Sequence, residues 1–294
     1  MKKKVTFIVN PTSGKRLGKN LKKMIIDAVD NHLYAITIYE TERAYHAVEL
    51  TQRAIDSDAE IIVACGGDGT INEVAQQLVN TSIILGIIPI GSGNGLATNL
   101  NISKNLNEAI LSIFNFNVTK IDVGQIENNY FFSNIGFGID AEVIKNYAES
   151  RDHNFIGYLK ASLKTFFNYR PHKLKLVIDH QETIENEYFF MLCSNSNMAG
   201  YGISFTPNAS LNDGKLDLLA VEKLSFIETI QFAFGVLNQS LKQFPKANYF
   251  QLEEFKIEAL DRNLIIQIDG ETLREEKNKV EVKILKQALS ILVP

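Results

Sequence analysis

The sequence predicts a two-domain protein in which an α/β domain with a parallel sheet is followed by an antiparallel β-sandwich. Three observations favour this fold class: strand and helix patterns alternate in the first third, two of those strand patterns are apolar throughout, and shorter runs joined by turn dipeptides begin near residue 118. Alternating strands and helices are typical of a parallel sheet, and short runs with turns are typical of antiparallel sheet. We expect the first domain to span residues 1–120, with about 287–294 returning to it, and the second to span 121–286.

The elements of the first domain follow from the spacing of apolar residues. The predicted strands are residues 5–9, 35–39, 61–65 and 83–88, and helices are predicted over about 21–29 and after Arg43. The runs at 61–64 and 83–88 lack alternation, as expected when both faces of a strand are buried. Each run ends in a glycine-rich turn, at the sheet edge where open α/β sheets bind ligands.

The second domain is predicted from turn dipeptides and two helical stretches. Turns are expected at residues 127–129, 179–180, 212–214 and 269–270, and helices at 157–169 and 226–244. Apolar residues at helical spacing within 155–169 are explained by core packing, and an acyl-chain groove is the alternative. Together these signals indicate antiparallel sheet interrupted by two helices.

Composition excludes several classes of protein. The 294 residues are 45% hydrophobic and 22% charged with a net charge of -4, which argues against disorder and against general nucleic-acid binding. Cys65 and Cys193 are far apart, so neither a disulfide framework nor a zinc site is indicated. No window approaches the roughly 20 apolar residues of a membrane span, and the apolar run at 5–9 is too short for a signal peptide. We therefore expect a cytoplasmic protein.

The first glycine-rich turn, residues 65–74, carries the strongest chemical signal. It contains Gly66, Gly67, Asp68, Gly69 and Thr70. Glycines let backbone N–H groups approach phosphate oxygens, and an acid among them is explained if it holds Mg²⁺ or receives the proton of an attacking hydroxyl. The alternative is a tight strand-to-helix turn in which Asp68 has no chemical role. Thr70 and Glu73 also match a helix capping box, so Glu73 is open between capping and ligand binding.

Two further turns are expected beside the first, because parallel strands end at the same edge of a sheet. The second turn contains Gly91, Ser92, Gly93 and Asn94, and the first strand ends in Asn10, Thr12, Ser13 and Gly14. Their amides and hydroxyls can donate to phosphates, and ordinary turns with helix caps are the alternative. The turn after the first strand does not match a Walker A loop. Thr41, in the loop before the predicted second helix, can close the predicted nucleotide cleft.

Two acidic turns in the second domain are candidates for chemistry. Residues 269–271 read Asp-Gly-Glu between extended runs, which predicts either a short hairpin or a tight turn that presents Glu271 as a general base. Residues 212–217 include Asp213 and Asp217, which are either cation ligands or solvated turn acids. The residues alone leave both pairs of alternatives open.

Four motifs occur in order along nearly the whole chain. They are Asn10-Pro11-x-Ser13-Gly14, Gly66-Gly67-Asp68-Gly69-Thr70-x-Asn72-Glu73, Pro89-x-Gly91-Ser92-Gly93-Asn94 and Asp269-Gly270-Glu271. This combination resembles the diacylglycerol kinase catalytic-domain family, which includes bacterial soluble lipid kinases and the sphingosine and ceramide kinases. The resemblance implies ATP and Mg²⁺ as cofactors and Asp68 and Glu271 as the principal catalytic carboxylates. It also implies nucleotide contacts from Thr41, Ser92 and the loop 66–70, and a cation site at Asp213.

The resemblance also bears on the acceptor. Gly95 follows the second turn where bacterial diacylglycerol kinases typically have an Asp, and Asp140 stands where sphingosine kinases have an acid near the lipid head group. The expected function is an ATP-dependent lipid kinase that phosphorylates a hydroxyl of a diacylglycerol-like or sphingoid lipid, with peripheral contact to the inner membrane face. An NAD kinase-like enzyme and an inactive nucleotide- or lipid-binding regulator are the alternatives, and a homodimer is left open.

Overall fold

The computed structural model describes most of the chain. The described residues are 2–14, 18–30, 32–91, 93–148, 157, 164–165, 169–178, 182–197, 204–238, 241, 244–273 and 277–294. Ser92, the predicted turn at 179–180 and most of the predicted helix at 157–169 lie outside them. The chain forms two compact units, which are Met1–Val123 with Lys286–Pro294, and Gly124–Leu285.

Helices and strands alternate early in the chain, and strands dominate later. The helices are α1 Gly18–Ala28, α2 His46–Asp56, α3 Asp68–Leu78, α4 Gly95–Asn99, α5 Leu106–Asn115, α6 Ile139–Ala148 and α7 Phe226–Leu237. The strands are β1 Lys3–Val9, β2 Tyr34–Glu40, β3 Ile61–Gly66, β4 Ile84–Pro89, β5 Val118–Ile126, β6 Asn129–Phe131, β7 Asn134–Gly138, β8 His172–Ile178, β9 Glu182–Ser194, β10 Leu216–Glu222, β11 Ala247–Leu252, β12 Glu254–Ala259, β13 Ile266–Ile268, β14 Glu271–Thr272 and β15 Lys279–Leu292. None of the helices in the described part of the chain has the length and hydrophobicity required to cross a membrane.

A parallel sheet forms the centre of the first unit. Its strand order is β4-β3-β1-β2, and each neighbouring pair is parallel. The end of β15 adds to β4 through Ile291 and Leu85, again in parallel. Helices α1, α2, α3 and α5 pack on these strands, and every residue of β3 is buried. The predicted α/β domain with a parallel sheet is confirmed.

Element boundaries differ from the predicted ones by a few residues. The four predicted strands of the first unit begin and end within one or two residues of β1 to β4. The helix predicted over 226–244 is shorter, because α7 ends at Leu237. The turn predicted at 127–129 forms a hairpin between β5 and β6, with Glu127 at a φ of 51°.

Antiparallel pairing characterises the second unit. Its strand order is β14-β13-β7-β9-β8-β12-β15, and β10 pairs with both β9 and β11. The pairs along this order are antiparallel, as predicted. The 13-residue strand β9 pairs with β8 through its first half and with β7 and β10 through its second half. One apolar cluster forms around Phe137 and Phe255, and another forms around Phe190 and Phe232.

Candidate active site

Three loops of the first unit follow neighbouring parallel strands. The backbone N–H of Asn10 donates to Cys65 O at 2.9 Å, and the N–H of Ile90 donates to Gly66 O at 2.8 Å. The ends of β1, β3 and β4 are therefore bonded side by side. Thr41 follows β2, and its N–H donates to the carbonyl of the last residue of β1 at 2.9 Å. The predicted turns thus lie together at the carboxyl edge of the sheet, where open α/β sheets bind ligands.

Asn10 closes the loop after β1 and ties it to α3. Its Oδ1 accepts the backbone N–H of Thr12 at 3.0 Å and the Thr12 hydroxyl at 2.8 Å, and its Nδ2 donates to Thr70 Oγ1 at 3.2 Å. Gly14 has a φ of 59°, and a Cβ at this position would lie 2.4 Å from Ile90 Cγ2. The predicted nucleotide contacts in this loop are Asn10, Thr12, Ser13 and Gly14. Asn10 therefore fixes the shape of the loop, whatever else it binds.

Asp68 joins the turn after β3 to the turn after β4. It is the first residue of α3, and its Oδ2 accepts the backbone N–H of Asn94 at 2.8 Å while its Oδ1 accepts that of Gly95 at 2.7 Å. A Cβ on Gly93 would lie 2.5 Å from Asp68 Oδ2, so only glycine leaves room for the carboxylate. The carboxylate therefore lies directly against the second turn and holds it in place, and the catalytic and metal-binding roles of Asp68 stay predictions.

The glycines of the two turns let backbone segments touch. A Cβ on Gly91 would lie 2.5 Å from Gly67 Cα, and a Cβ on Gly66 would lie 2.5 Å from Thr70 Cβ. Asn94, at a φ of 55°, closes its own turn, since its Nδ2 donates to Gly91 O at 2.6 Å and its Oδ1 accepts the N–H of Gly91 at 3.1 Å. This approach presents two backbone segments to the same space, as a phosphate cradle requires. Ser92 lies outside the described residues.

Glu73 caps a helix, but not the helix in which it lies. The N-cap of α3 is Gly67, without a side-chain cap bond, so the capping-box interpretation of Thr70 and Glu73 is wrong. The two oxygens of Glu73 instead accept the backbone N–H groups of Tyr45 and Ala47 at the start of α2, both at 3.2 Å. These bonds satisfy donors that a helix start leaves without partners. A nucleotide contact by Glu73 stays a prediction.

The Asp-Gly pair of the second unit forms the short hairpin that its sequence favours. Asp269 and Gly270 have φ values of 48° and 87°, and they connect β13 to β14 through the pair Ile268 and Glu271. Positive φ at both central residues is typical of the type I′ turn of two-residue hairpins. The hairpin interpretation is confirmed. Glu271 is the first residue after the turn and is exposed, so its carboxylate is accessible, and its catalytic role stays a prediction.

Asp269 also clamps a distant loop. Its carboxylate accepts the backbone N–H groups of Phe132, Ser133 and Asn134 at 2.9, 2.8 and 3.0 Å, and its own N–H donates to Asn134 O at 2.8 Å. Hydrogen bonds to an ionised acceptor are stronger than neutral ones. The turn that presents Glu271 is therefore anchored to the segment that leads into β7.

We expect Asp269→Ala to lower the free energy of unfolding by about 3 kcal/mol, because three backbone donors lose a charged acceptor and alanine is strained at positive φ. Urea denaturation of both proteins measures the difference. Asp269→Asn is the matched control, because asparagine tolerates this φ and keeps one acceptor oxygen, and it should lose less. Equal stability of the alanine variant and the wild type would contradict the anchoring role.

Asp140 lies in the first turn of α6, in a confined environment. Its Oδ2 accepts a hydrogen bond from Gln267 Nε2 at 3.0 Å, and a Cβ on Gly136 would lie 1.9 Å from the same oxygen. Burial raises the pKa of the Asp140 carboxyl from 3.8 to about 6, and the bond from Gln267 opposes the rise. Burial likewise raises the pKa of Glu142, and the charges of Arg262 and Lys145 oppose that rise. A buried carboxyl group with a raised pKa, such as that of Asp140, is typical of a functional position. The contact of Asp140 with an acceptor stays a prediction.

The raised pKa of Asp140 predicts a pH-dependent stability difference. Because the pKa of Asp140 is higher in the folded protein, the protonated carboxyl contributes to stability at pH values below its ordinary pKa of 3.8. This contribution to the free energy of unfolding is lost as the pH rises through about 6. Asp140→Asn lacks this ionisation, so it should match the wild type near pH 4 and exceed it near pH 7 by about 2 kcal/mol, allowing for partial contact with water. Urea denaturation at the two pH values measures this. A constant difference between the proteins would contradict the assignment.

Asp213 lies in an exposed turn. Its Oδ1 accepts the N–H of Lys215 at 3.0 Å, and Gly214 has a φ of 71°. Within the residues that the structure describes, no group of three or more His, Cys, Asp or Glu side chains could hold a metal ion. A cation at Asp213 would therefore need carbonyl or water oxygens in addition, and this site stays a prediction.

Two family models match the chain. The model described as the diacylglycerol kinase catalytic domain matches residues 4–126, and the model described as the YegS C-terminal NAD kinase beta sandwich-like domain matches residues 133–293. The second model spans more than half of the chain, so the chain belongs to the family that this model describes, and its N-terminal part matches the diacylglycerol kinase catalytic domain. The two models together confirm the predicted family resemblance, and the second model confirms the predicted β-sandwich of the second domain.

Relatives in the diacylglycerol kinase family match over most of their length. The chain is 29% identical over 276 residues to a diacylglycerol kinase of Staphylococcus haemolyticus, a match that covers 92% of this chain and 83% of the relative. It is 28% identical over 277 residues to a diacylglycerol kinase of Staphylococcus aureus strain Newman, with 92% and 87% covered. Kinases of this family transfer a phosphoryl group to an alcohol, so the chain is a phosphotransferase with an alcohol group as acceptor.

Solved structures share the fold of this family member. A Bacillus anthracis protein provisionally named a diacylglycerol kinase has a TM-score of 0.83 at 24% identity, with 99% of this chain and 97% of that chain covered. An NAD kinase from Archaeoglobus fulgidus in complex with ATP has a TM-score of 0.55 at 14% identity, with 98% and 93% covered. At these identities the likeness concerns the fold alone.

Sequence reasoning missed two roles in the family's Asp-Gly-Glu region. It did not find Asp269 as the clamp of the loop before β7, nor Gln267 as the partner of Asp140 and Asn134. One signal was present, since Gln267 is a polar residue within the apolar run at 265–268. No sequence signal pointed to the role of Asp269, because the donors to its carboxylate are backbone N–H groups, which almost every residue carries.

Proposed function

We propose that the chain is an ATP-dependent lipid kinase that phosphorylates a hydroxyl of a diacylglycerol-like or sphingoid lipid. The observation that carries the proposal is the carboxylate of Asp68, which is held at 2.7 to 2.8 Å against backbone N–H groups of the second glycine turn. An acid enclosed by glycine loops at the carboxyl edge of a parallel sheet suits a magnesium nucleotide. The names of the relatives support the lipid class of the acceptor.

The phosphate-binding surface consists of the three loops of the first unit. Backbone N–H groups of the glycine turns and the N-terminus of α3 supply donors and partial positive charge for the ATP phosphates. Ser13 and Thr41 can add hydroxyl donors, whereas the Thr12 hydroxyl donates to Asn10 Oδ1 and helps to shape the loop. The ATP complex of the Archaeoglobus fulgidus NAD kinase supports this nucleotide. In this proposal the loops align the γ-phosphate, and phosphoryl transfer depends mainly on such alignment.

Asp68 fits the chemistry of a magnesium ligand. Mg²⁺ is usually held by one or two carboxylates together with substrate phosphates and water. Each oxygen of Asp68 accepts one N–H and retains a further lone pair, so the carboxylate can serve the loop and a cation together. Bound there, Mg²⁺ would neutralise phosphate charge.

Glu271, acting with Asp68, is proposed to accept the proton of the acceptor hydroxyl. The hydroxyl oxygen forms a bond to the γ-phosphorus, the bond to the β–γ bridging oxygen breaks, and ADP leaves. The proton passes to a carboxylate, and the exposed Glu271, which directly follows the hairpin turn, is suited to accept it. Asp140 is proposed to contact the acceptor head group.

Contact with the membrane surface is proposed to be peripheral. The acceptor is a lipid in this proposal, and the helices described do not include a membrane span. Helix α7 exposes three large apolar side chains at helical spacing: Ile227 is 68% exposed, Ile230 is 45% exposed and Phe234 is 61% exposed. This apolar face supports contact with a lipid surface. The inner membrane face is the expected location.

The deciding experiment is transfer of labelled γ-phosphate from ATP and Mg²⁺ to diacylglycerol, sphingosine, ceramide, phosphatidylglycerol and NAD, each presented separately. Label in one lipid is the expected result and identifies the acceptor. Label in NAD alone would overturn the lipid proposal in favour of the NAD kinase-like alternative, to which the fold of the Archaeoglobus fulgidus neighbour corresponds. ATP binding without transfer would favour a regulator.

A further inference from the structure

Gln267 is a buried amide in a strand whose neighbouring residues are apolar. It lies in β13 between Ile266 and Ile268, opposite Gly136 of β7, and its side chain is 2% exposed. Burying an amide carries a desolvation penalty that only satisfied hydrogen bonds offset. A methionine of similar length would avoid that penalty, but it would remove the bonds to Asn134, Asp140 and Gly270. The presence of a glutamine at this buried position is therefore explained by the hydrogen bonds that its amide forms.

The amide of Gln267 connects three separate segments. Its Nε2 donates to Asn134 Oδ1 at 2.8 Å and to Asp140 Oδ2 at 3.0 Å, and its Oε1 accepts the backbone N–H of Gly270 at 2.8 Å. Both donor hydrogens and one acceptor site are thus used. The connected segments are the start of β7, the start of α6 and the turn before Glu271.

Gly136 makes room for this arrangement. A Cβ there would lie 1.9 Å from Asp140 Oδ2 and 2.8 Å from Gln267 Nε2, so any side chain would separate the two groups. Helix α6 also packs against β13 and β14. The elements that carry Asp140 and Glu271 are therefore neighbours, and the amide lies at their junction.

We propose that Gln267 is a positioning residue whose amide holds Asp140 and the Asp269-Gly270 turn in one arrangement and thereby fixes Glu271 relative to Asp140. The inference rests on the proposed function, in which Glu271 accepts a proton and Asp140 contacts the acceptor. Gln267 itself touches neither substrate nor nucleotide. A proton acceptor and a head-group contact that serve the same lipid molecule need a fixed separation, and a displacement of about 1 Å can lower a rate by about 100-fold.

The first test is Gln267→Met, compared with Gln125→Met. The Gln125 amide donates to Glu127 O at 2.8 Å at the turn between β5 and β6, so the control removes a similar turn bond in the same unit. We expect Gln267→Met to lower kcat about 100-fold at an unchanged KM for ATP, and to speed amide hydrogen exchange at Gly270. The control should keep the kcat of the wild type.

The second test is Gln267→Glu, which separates the two arms of the amide. Glutamate keeps an acceptor for the Gly270 N–H, but it loses the donors to Asn134 and Asp140 and places a second carboxylate beside Asp140. Gly270 should stay protected from exchange while kcat falls at least about 10-fold. This variant also replaces Gln267→Met if the latter does not fold, as judged by thermal unfolding and by ATP-binding stoichiometry.

The outcomes separate this inference from the proposed function. Wild-type kcat in folded Gln267→Met or Gln267→Glu, with the wild type active on a lipid, would overturn the positioning role and leave the kinase proposal intact. If the wild type transfers phosphate to no lipid, the kinase proposal fails, and exchange at Gly270 and Glu271 decides the inference. Faster exchange in Gln267→Met supports it, and unchanged exchange overturns it.

Discussion

Replacing Asp68 with alanine is expected to lower kcat for phosphate transfer at least about 1,000-fold. The change removes the carboxylate proposed to hold Mg²⁺ beside the glycine turns. It also removes the acceptor for the backbone N–H groups of Asn94 and Gly95, so the second turn loses its anchor. Transfer of labelled phosphate to the acceptor found for the wild type measures the effect, and calorimetry measures ATP affinity.

A stability control separates chemistry from folding in the Asp68 experiment. Asp122 is a buried carboxylate of the same unit whose Oδ1 accepts the N–H of Gln287 at 2.7 Å, so Asp122→Ala also removes a carboxylate acceptor. Each variant should lose about 1 to 3 kcal/mol of unfolding free energy, and only the Asp68 variant should lose activity. Asp68→Asn should be inactive too, because its NH₂ group would face one of the two backbone N–H groups and its neutral amide lacks the charge proposed to hold Mg²⁺. An active, folded Asp68→Asn would overturn the proposed role.

Glu271→Gln is expected to lower kcat by about 1,000-fold without changing stability. Glu271 is exposed at the start of β14, so the loss of its charge removes no buried contact. The fall reflects the missing proton acceptor. Measured kcat and urea denaturation, taken together, give the two quantities.

Glu185→Gln is the matched control for Glu271. Glu185 is an exposed glutamate in β9 of the same unit, and the same substitution there should leave kcat unchanged. A Glu271→Gln enzyme with wild-type kcat would assign the proton transfer elsewhere. A fall in both variants would indicate a general effect of surface charge on encounter with the lipid surface.

The sequence predicted the fold class and the location of the loops well, because both depend on local pattern. Uninterrupted apolar runs at β3 and β4 indicated strands buried on both faces, and the glycines that follow them indicated turns at one sheet edge. Asp-Gly indicated a two-residue hairpin, which the structure confirms. The order of four motifs likewise indicated the kinase family. All of these signals are contained within a few consecutive residues.

Only the tertiary structure decided which partners the polar side chains take. Asp68 bonds residues 26 and 27 positions later in the chain, Asp269 bonds residues 135 to 137 positions earlier, and Glu73 caps a different helix. The capping-box prediction failed because the pattern matched a local rule while α2 offered unsatisfied N–H groups close by. Hydrogen-bond partners depend on how strands and helices are brought together, and local periodicity carries no information about that arrangement. The sequence by itself therefore determined the fold class, the loops and the family, and the packing determined what each carboxylate and the buried amide of Gln267 hold.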